Sequence, residues 1–234
     1  MPYRRLPNTD NARIRALKIA IEKSNSLFGQ NVISTDIQKL ELLLRNFENA
    51  QLNYKESLDK QVSANRKFQK LVKSARLYIS HFIQVLNLCV IRNEIKKDTK
   101  VFYNIEPDNF AVPDLTSNDS LLQWGERIIK GEQERLAHGG TPIYNPTIAR
   151  VNVAFSLFKD AYFAQKTFQN TTNRQLELLS CQRENIDNTL ADVWNQIEAA
   201  FSSLSAEERI NRCKEYGVVY YLRKSEKEKQ VDLK

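Results

Sequence analysis

The chain has two histidines, His81 and His138, and they limit the metal and catalytic chemistry that the sequence can support. A di-iron site in a helical bundle needs two Glu-x-x-His motifs on facing helices. Tyr78 and Arg135 stand three residues before these histidines, so neither motif is present. The sequence also lacks the glycine-rich phosphate-binding loop and the Gly-x-Ser-x-Gly elbow of hydrolases. We therefore predict no metal, no cofactor and no catalytic residue, and interpret the protein as a non-enzyme.

The histidines and cysteines have ordinary structural interpretations. His81 lies beside the apolar stripe of a long predicted helix, so we expect it on the helix surface or half-buried. His138 ends a predicted helix, where an imidazole suits the negative end of the helix dipole. The spacing of Cys89, Cys181 and Cys213 is too wide for a zinc motif, and we expect three buried or half-buried thiols.

The strongest positive feature is a basic stripe within three turns of one predicted helix. Cations that recur on one helix face can follow a phosphate backbone, so nucleic acid or another polyanion is one candidate partner. No helix-turn-helix, zinc-finger or aromatic stacking pattern accompanies the stripe. The other interpretation is a solvated face, or a face paired with Glu177, Glu184, Asp187 and Asp192 of the other long helix. The stripe consists of Arg66, Lys67, Lys70, Lys73 and Arg76.

Two aromatic segments offer a second candidate surface for a protein partner. Their strand-like composition also predicts that residues 217–222 pair with residues 101–105 in a small two-stranded clasp. The N-terminal Tyr3-Arg4-Arg5 either binds an anion or is a frayed terminus, and the residues do not separate these alternatives. The aromatic residues of the candidate partner surface are Phe102, Tyr103, Tyr220 and Tyr221.

Long stretches without helix breakers dominate the chain. Residues 30–106 and residues 147–216 contain neither glycine nor proline, and the 234 residues contain only 6 of each. Apolar residues recur every three or four positions along both stretches, which predicts two very long helices and an all-α protein. A shorter helix is predicted before each, with Thr9 in the first N-cap region and Gly29 as the first helix stop.

A shift of 111 residues aligns the second half of the chain with the first. Gly29 then meets Gly140, and the predicted N-cap Ser34 meets the predicted N-cap Asn145. Apolar positions also coincide, and both long stretches turn polar near their centres. We therefore predict a duplicated unit of one short and one long helix.

This duplication predicts an elongated helical bundle. A helix of about 55 residues is roughly 80 Å long, and two of them packed antiparallel would form a rod with a short helix covering the first half of each. In the alternative, each long helix breaks at its polar centre. The predicted segments are 1–97 and 119–204 for the two helix pairs, 98–118 for their connection, and 205–234 for a last helix, a strand and a charged tail.

The net charge of +7 is unevenly distributed. Residues 1–100 contain 19 Lys/Arg and 9 Asp/Glu, a net +10, whereas the remaining 16 Lys/Arg and 19 Asp/Glu give −3. This asymmetry indicates either a polyanionic partner or mutual attraction of the two halves. The sequence shows no uninterrupted apolar run of about 18 residues and no apolar leader. We expect a cytoplasmic protein without membrane contact, with a protein partner or self-association.

Four segments are similar to stretches found in a group of uncharacterised all-helical bacterial proteins. The resemblance covers most of the chain and implies a bacterial source. It implies no activity and no site residue. The four segments are Pro2–Asp10 (PYRRLPNTD), Ala75–Asn87 (ARLYISHFIQVLN), Gly139–Thr147 (GGTPIYNPT) and Tyr216–Lys224 (YGVVYYLRK).

Overall fold

A computed structural model describes residues 3–25 and 32–221 of the chain. These residues form five α-helices, one 3₁₀ helix and two short strands. The helices are α1 (Asp10–Ser24), α2 (Ile37–Ile91), the 3₁₀ helix (Lys97–Tyr103), α3 (Asn118–Ala137), α4 (Ile148–Ala200) and α5 (Ala206–Glu215), and the strands are β1 (Tyr3–Arg4) and β2 (Tyr220–Tyr221).

The predicted all-α class is confirmed, and both long helices are continuous. Helix α2 has 55 residues and α4 has 53, so the alternative in which each breaks at its polar centre is wrong. Neither contains a glycine or proline that would interrupt the backbone hydrogen bonds. Helix α2 ends at Ile91, earlier than the expected end near Lys96 and Lys97. It stops there because Asn93 adopts a left-handed conformation with a φ of 60°.

The observed N-caps of both long helices lie two residues after the predicted ones. The side chains of Asp36 and Thr147 accept hydrogen bonds from first-turn amides at 2.9 and 3.4 Å, whereas Ser34 and Asn145 lie outside the helices. The two observed caps are 111 residues apart (147 − 36), as the predicted caps are. Gly29, the predicted stop of the first helix, lies outside the described residues. The duplication itself stays a prediction.

The chain divides into two compact units, which do not follow the four predicted segments. Unit 1 contains Met1–Ser57 and Thr172–Lys234, and unit 2 contains Leu58–Thr171. Both divisions fall within the polar centres of α2 and α4. Each unit therefore takes one half of each long helix, because the apolar stripes at the helix ends form two separate cores.

The core of unit 1 joins three helices. Leu17 and Ala20 of α1, Phe47 of α2, and Leu190 and Trp194 of α4 are all fully buried in one apolar cluster. Helix α5 adds Cys213 to the same cluster. Burial of each large apolar side chain contributes about 1.5–3 kcal/mol, so this cluster is what holds α1 against the long helices.

Unit 2 has the same arrangement with α3 as its short helix. Ile79 and Phe82 of α2, Leu121 and Ile128 of α3, and Phe158 of α4 are fully buried together. Each short helix thus contributes to the core that contains the first half of the long helix after it, as the sequence predicts.

A two-stranded sheet forms, but its first strand is not the predicted one. Strand β2 pairs antiparallel with β1, near the N-terminus. Residues 101–105 were expected to be the partner, and this prediction is wrong because the 3₁₀ helix includes most of that segment. The error arose because strand-like composition is a weak local preference that packing overrides. In the sheet, Tyr3 lies opposite Tyr221 and Arg4 opposite Tyr220.

One 18-residue window of α2 is apolar enough to cross a membrane by length and composition, among the residues that the structure describes. A single such helix indicates a membrane span only weakly, since the core helix of a soluble protein passes the same test. Within that window, 39% of the residues are buried inside the protein. The expected absence of membrane contact stays a prediction.

Asp10 joins α1 to α4 through charged hydrogen bonds inside unit 1. Its carboxylate accepts two hydrogen bonds from the Arg183 guanidinium, both of 2.8 Å, and lies 3.5 Å from Arg13. Arg13 in turn donates to Asp187 at 2.7 and 2.8 Å. The hydrogen bonds from Arg183 hold the pKa of Asp10 below its usual value, although partial burial opposes them.

We expect Asp10→Asn to lower the free energy of unfolding by about 1–2 kcal/mol at neutral pH, because two charged hydrogen bonds are lost. Since the pKa of Asp10 is lower in the folded than in the unfolded protein, its stabilising effect is complete above the unfolded value of about 4. It is lost as the pH falls through the folded pKa. Urea unfolding at neutral pH and at about pH 3 measures this, and the difference between wild type and variant should shrink in acid.

Asp59→Asn, at an exposed position of α2, is the control and should change stability by less than about 0.5 kcal/mol. A difference for Asp10→Asn that is the same at both pH values would contradict the proposed linkage.

Candidate functional site

Four cations of the predicted stripe lie exposed on the part of α2 that belongs to unit 2. Arg66, Lys67, Lys70 and Lys73 are all solvent-exposed, whereas Phe68 among them is buried in the core. We call these four residues the basic face. Steps of three and four residues place Arg66, Lys70 and Lys73 on one side of the helix, with Lys67 beside them.

No carboxylate among the described residues neutralises the basic face. Its four side chains form no hydrogen bond or ion pair with a described residue. The sequence contains no Asp or Glu between Asp59 and Glu94, so α2 itself offers no acidic neighbour along this stretch. The acidic residues proposed as partners, in the range 177–192, belong to unit 1, where Asp187 binds Arg13. The predicted ion pairs between those carboxylates and the basic face are therefore not observed.

Arg76, the fifth residue of the predicted stripe, has a structural role instead. Its guanidinium donates hydrogen bonds to the backbone carbonyls of Leu115 and Thr116 at 2.9 and 2.8 Å. These bonds attach the segment before α3 to α2. Arg76 is therefore not counted in the basic face, because its Nε and Nη2 donate to these carbonyls.

The four aromatic residues of the predicted partner surface do not form one surface. Tyr103 is fully buried in unit 2, and Phe102 is half-buried with its ring centroid 5.0 Å from that of His138. Tyr220 is half-buried in unit 1 and donates to Glu198. Only Tyr221 is well exposed. The predicted clasp would have brought all four together, and without it Tyr103 is corrected to a core residue.

Unit 2 contains a buried cluster of titratable groups that the sequence analysis missed. Tyr103, Glu132 and Arg135 are 0%, 1% and 3% exposed. Arg135 Nε donates to Glu132 Oε2 at 2.8 Å and to the Tyr103 hydroxyl at 2.9 Å, and its Nη2 donates to Glu132 Oε1 at 2.8 Å. The same Nη2 donates to the Thr141 carbonyl at 2.7 Å, and the Tyr103 hydroxyl donates to Glu132.

Every member of this cluster is satisfied by another member. Burial, and the hydrogen bond to the Glu132 carboxylate, raise the pKa of Tyr103, so the phenol stays protonated and donates. Because little of the cluster reaches solvent, we interpret it as structural. Its hydrogen bonds connect the 3₁₀ helix, α3 and the loop at Thr141. The one sequence signal for it was the spacing of Glu132 and Arg135 by three residues on the apolar side of α3.

Lys100 is a second buried ion in unit 2. Its ammonium donates to the carbonyls of Pro107 and Asn109 at 3.4 and 2.5 Å and lies 4.1 Å from the centroid of the Phe110 ring. Burial lowers the pKa of Lys100. These contacts order the loop that connects the two helix pairs, so the long connection is held in place by a cation inside it.

The remaining predicted residues have the following surroundings. His81 is exposed, and His138 lies at the C-cap of α3 with Nδ1 2.8 Å from the Glu134 carbonyl oxygen. Cys89 and Cys213 are buried, but Cys181 is exposed, which corrects the expectation that all three thiols are buried or half-buried. Within residues 3–25 and 32–221, no three His, Cys, Asp or Glu side chains come close enough together to hold a metal ion.

Comparison of the chain with models of protein families, with curated proteins and with solved structures found no match. The resemblance to a group of bacterial helical proteins, the bacterial source and the cytoplasmic location therefore stay predictions. The basic face is the candidate functional site because it is exposed, charged and unneutralised.

Proposed function

We propose that the protein is a non-enzymatic helical scaffold that binds nucleic acid through the basic face. The observation that carries this proposal is the set of four exposed cations with no carboxylate partner among the described residues. An unneutralised row of Lys and Arg creates a positive potential that attracts a polyanion.

The spacing of the basic face suits a phosphate backbone. Arg66 and Lys73 are seven residues apart, about 10 Å along the helix at 1.5 Å per residue. One strand of duplex DNA carries a phosphate every 3.4 Å or so along its axis, so this length covers about three phosphate spacings, or about four phosphates. Bases stack on exposed aromatic rings, and no such ring lies among the four cations. The expected contact is therefore to backbone phosphates, without sequence preference.

The triple variant Lys67→Glu, Lys70→Glu, Lys73→Glu is expected to bind duplex DNA at least tenfold more weakly than the wild type, because phosphate contacts dominate such affinity. Fluorescence anisotropy with a labelled duplex of about 20 base pairs in about 50 mM salt measures this. Neutralisation of about four phosphates also predicts a slope near −3.6 for log affinity against log salt in the wild type.

The matched control is Lys39→Glu, Arg45→Glu, Lys55→Glu, which changes the charge equally at exposed positions of the same helix. Those residues have Glu41, Glu48 and Glu56 nearby in the sequence, so we expect less than about a threefold loss. The proposal fails if the wild type does not bind DNA in about 50 mM salt, or if both triple variants lose affinity equally. Circular dichroism should show that both variants remain helical.

A protein contact is the second candidate, and a specific observation favours it. Beyond the basic face, α2 exposes Leu77, Leu88 and Ile91 by 64%, 50% and 59%. Their spacing continues the same side of the helix, so the outer face of α2 is basic first and then apolar. Sedimentation velocity of the wild type over a range of concentrations would reveal self-association through this face.

A further inference from the structure

Unit 1 contains a groove between the start of the chain, α1 and the end of α5. Its volume is about 580 Å³, and it is lined by residues from 5–19 and 214–221. The floor is apolar, with Leu6, Ala16, Ile19 and Val218. This groove was not predictable from the sequence, because its two walls come from opposite ends of the chain.

Three cations stand around this floor. Arg5, Arg15 and Lys214 line the groove, and all three are exposed. None of the described residues that line the groove is Asp or Glu. None of the three cationic side chains forms an ion pair with a described residue, and the Arg5 guanidinium lies 5.8 Å from the centroid of the Tyr221 ring.

Three carboxylates of unit 1 that could have neutralised these cations already have other partners. Asp10 accepts from Arg183, Glu198 accepts from Arg4, and Glu215 accepts from Arg212. The groove therefore keeps its positive charge. The positive charge that Lys and Arg give the first part of the chain is consequently not neutralised by carboxylates in this groove.

Gly217 lines the groove and packs against α1 in a backbone conformation that favours glycine. Its φ is +86°, and a Cβ at this position would lie 3.1 Å from the Ala16 carbonyl oxygen. The left-handed turn after α5 brings the chain directly against α1 and leads Val218 onto the groove floor. The groove is thus formed by three backbone segments, namely the start of the chain, α1 and the turn after α5.

We infer that this groove binds a small amphipathic anion, with a carboxylate or phosphate head and an apolar body. The cations provide the charge complement for the head, and the apolar floor accepts the body. The volume lies within the usual range of about 300–1,000 Å³ for small-molecule sites. The phenol of Tyr221 and the side chains of Asn8 and Thr9, just before α1, add polar groups to the lining.

The test uses the full chain and the fluorescent anion anilinonaphthalene sulfonate. The wild type is expected to enhance its fluorescence, and the double variant Arg15→Gln, Lys214→Gln should bind it at least about fivefold more weakly, since two exposed charges are removed. The matched control, Lys39→Gln, Arg45→Gln, removes two exposed cations of unit 1 outside the groove and should keep wild-type affinity. Ala12→Phe, which fills the groove and leaves its charges in place, should also weaken binding.

Competition identifies the head group. Decanoate and decyl phosphate are expected to displace the probe, and the stronger of the two distinguishes a carboxylate from a phosphate ligand. Decanol should displace it poorly. The inference is overturned if the wild type does not bind the probe, if Arg15→Gln, Lys214→Gln binds it as tightly as the control, or if decanol competes as well as decanoate. The triple variant of the basic face should bind the probe normally, so this test is independent of DNA binding.

Discussion

Replacement of Arg135 by methionine should destabilise unit 2 by about 3–5 kcal/mol, the largest effect that we expect from a single substitution. The guanidinium satisfies both oxygens of Glu132, the Tyr103 hydroxyl and the Thr141 carbonyl. Without it, a carboxylate that is 1% exposed loses its counterion. Breaking a buried pair by removing one partner costs much more than the pair itself contributes, because the remaining charge stays buried.

A double substitution separates this mechanism from a simple loss of packing. Glu132→Met combined with Arg135→Met removes both charges, so it should be less destabilising than Arg135→Met alone. If Arg135→Met costs less than about 1 kcal/mol, or if the double variant is the less stable one, the buried pair does not hold unit 2 together.

The two tryptophans allow each unit to be followed separately. Trp124 lies in α3 of unit 2, and Trp194 is buried in the core of unit 1. Labelling with fluorotryptophan gives one ¹⁹F resonance for each, and urea unfolding followed by NMR then reports the two units individually. The Arg135→Met effect should appear first in the resonance of Trp124.

Gly131→Ala should destabilise the protein by about 2–3 kcal/mol, although helix propensity alone predicts the opposite sign. Glycine inside a helix costs roughly 1 kcal/mol relative to alanine, so the sequence suggests that Gly131 weakens α3. In the structure, a Cβ at this position would lie 2.6 Å from the Phe102 carbonyl oxygen and 2.6 Å from a Tyr103 ring carbon. The carbonyl belongs to the backbone of the 3₁₀ helix, which moves less easily than a side chain.

Gln133→Ala, at an exposed position of the same helix, is the matched control. It should change stability by less than about 0.5 kcal/mol, because surface substitutions outside special contacts have small effects. Thermal unfolding followed by circular dichroism compares the two variants. A Gly131→Ala protein as stable as the wild type, or more stable, would show that the 3₁₀ helix can move away from α3 without loss.

The basic face could be predicted from the sequence because it depends on helix periodicity. The hydrogen-bond partners of Arg76 could not be predicted in this way. The spacing of Arg66, Lys70 and Lys73 places them on one side of any helix that contains them. Arg76 has a similar spacing, yet it donates to the carbonyls of Leu115 and Thr116, about 40 residues away along the chain. The exposure of a charged side chain follows from the helix, whereas its partner depends on which loop packs beside it.

The sequence by itself determined the all-α class and the faces that the two long helices bury, whereas the structure decided that both helices continue through their polar centres. Helical hydrogen bonds join residues four apart, and an apolar stripe with that period records which side is buried, so both are local properties. Only the tertiary structure decided the pairing of β1 with β2, the buried contacts of Tyr103 and the cationic groove. These depend on segments far apart in the chain, such as Arg4 and Glu198, whose ion pair spans 194 residues. No local pattern specifies which of many similar segments will meet, because that choice is made by the packing of the whole unit.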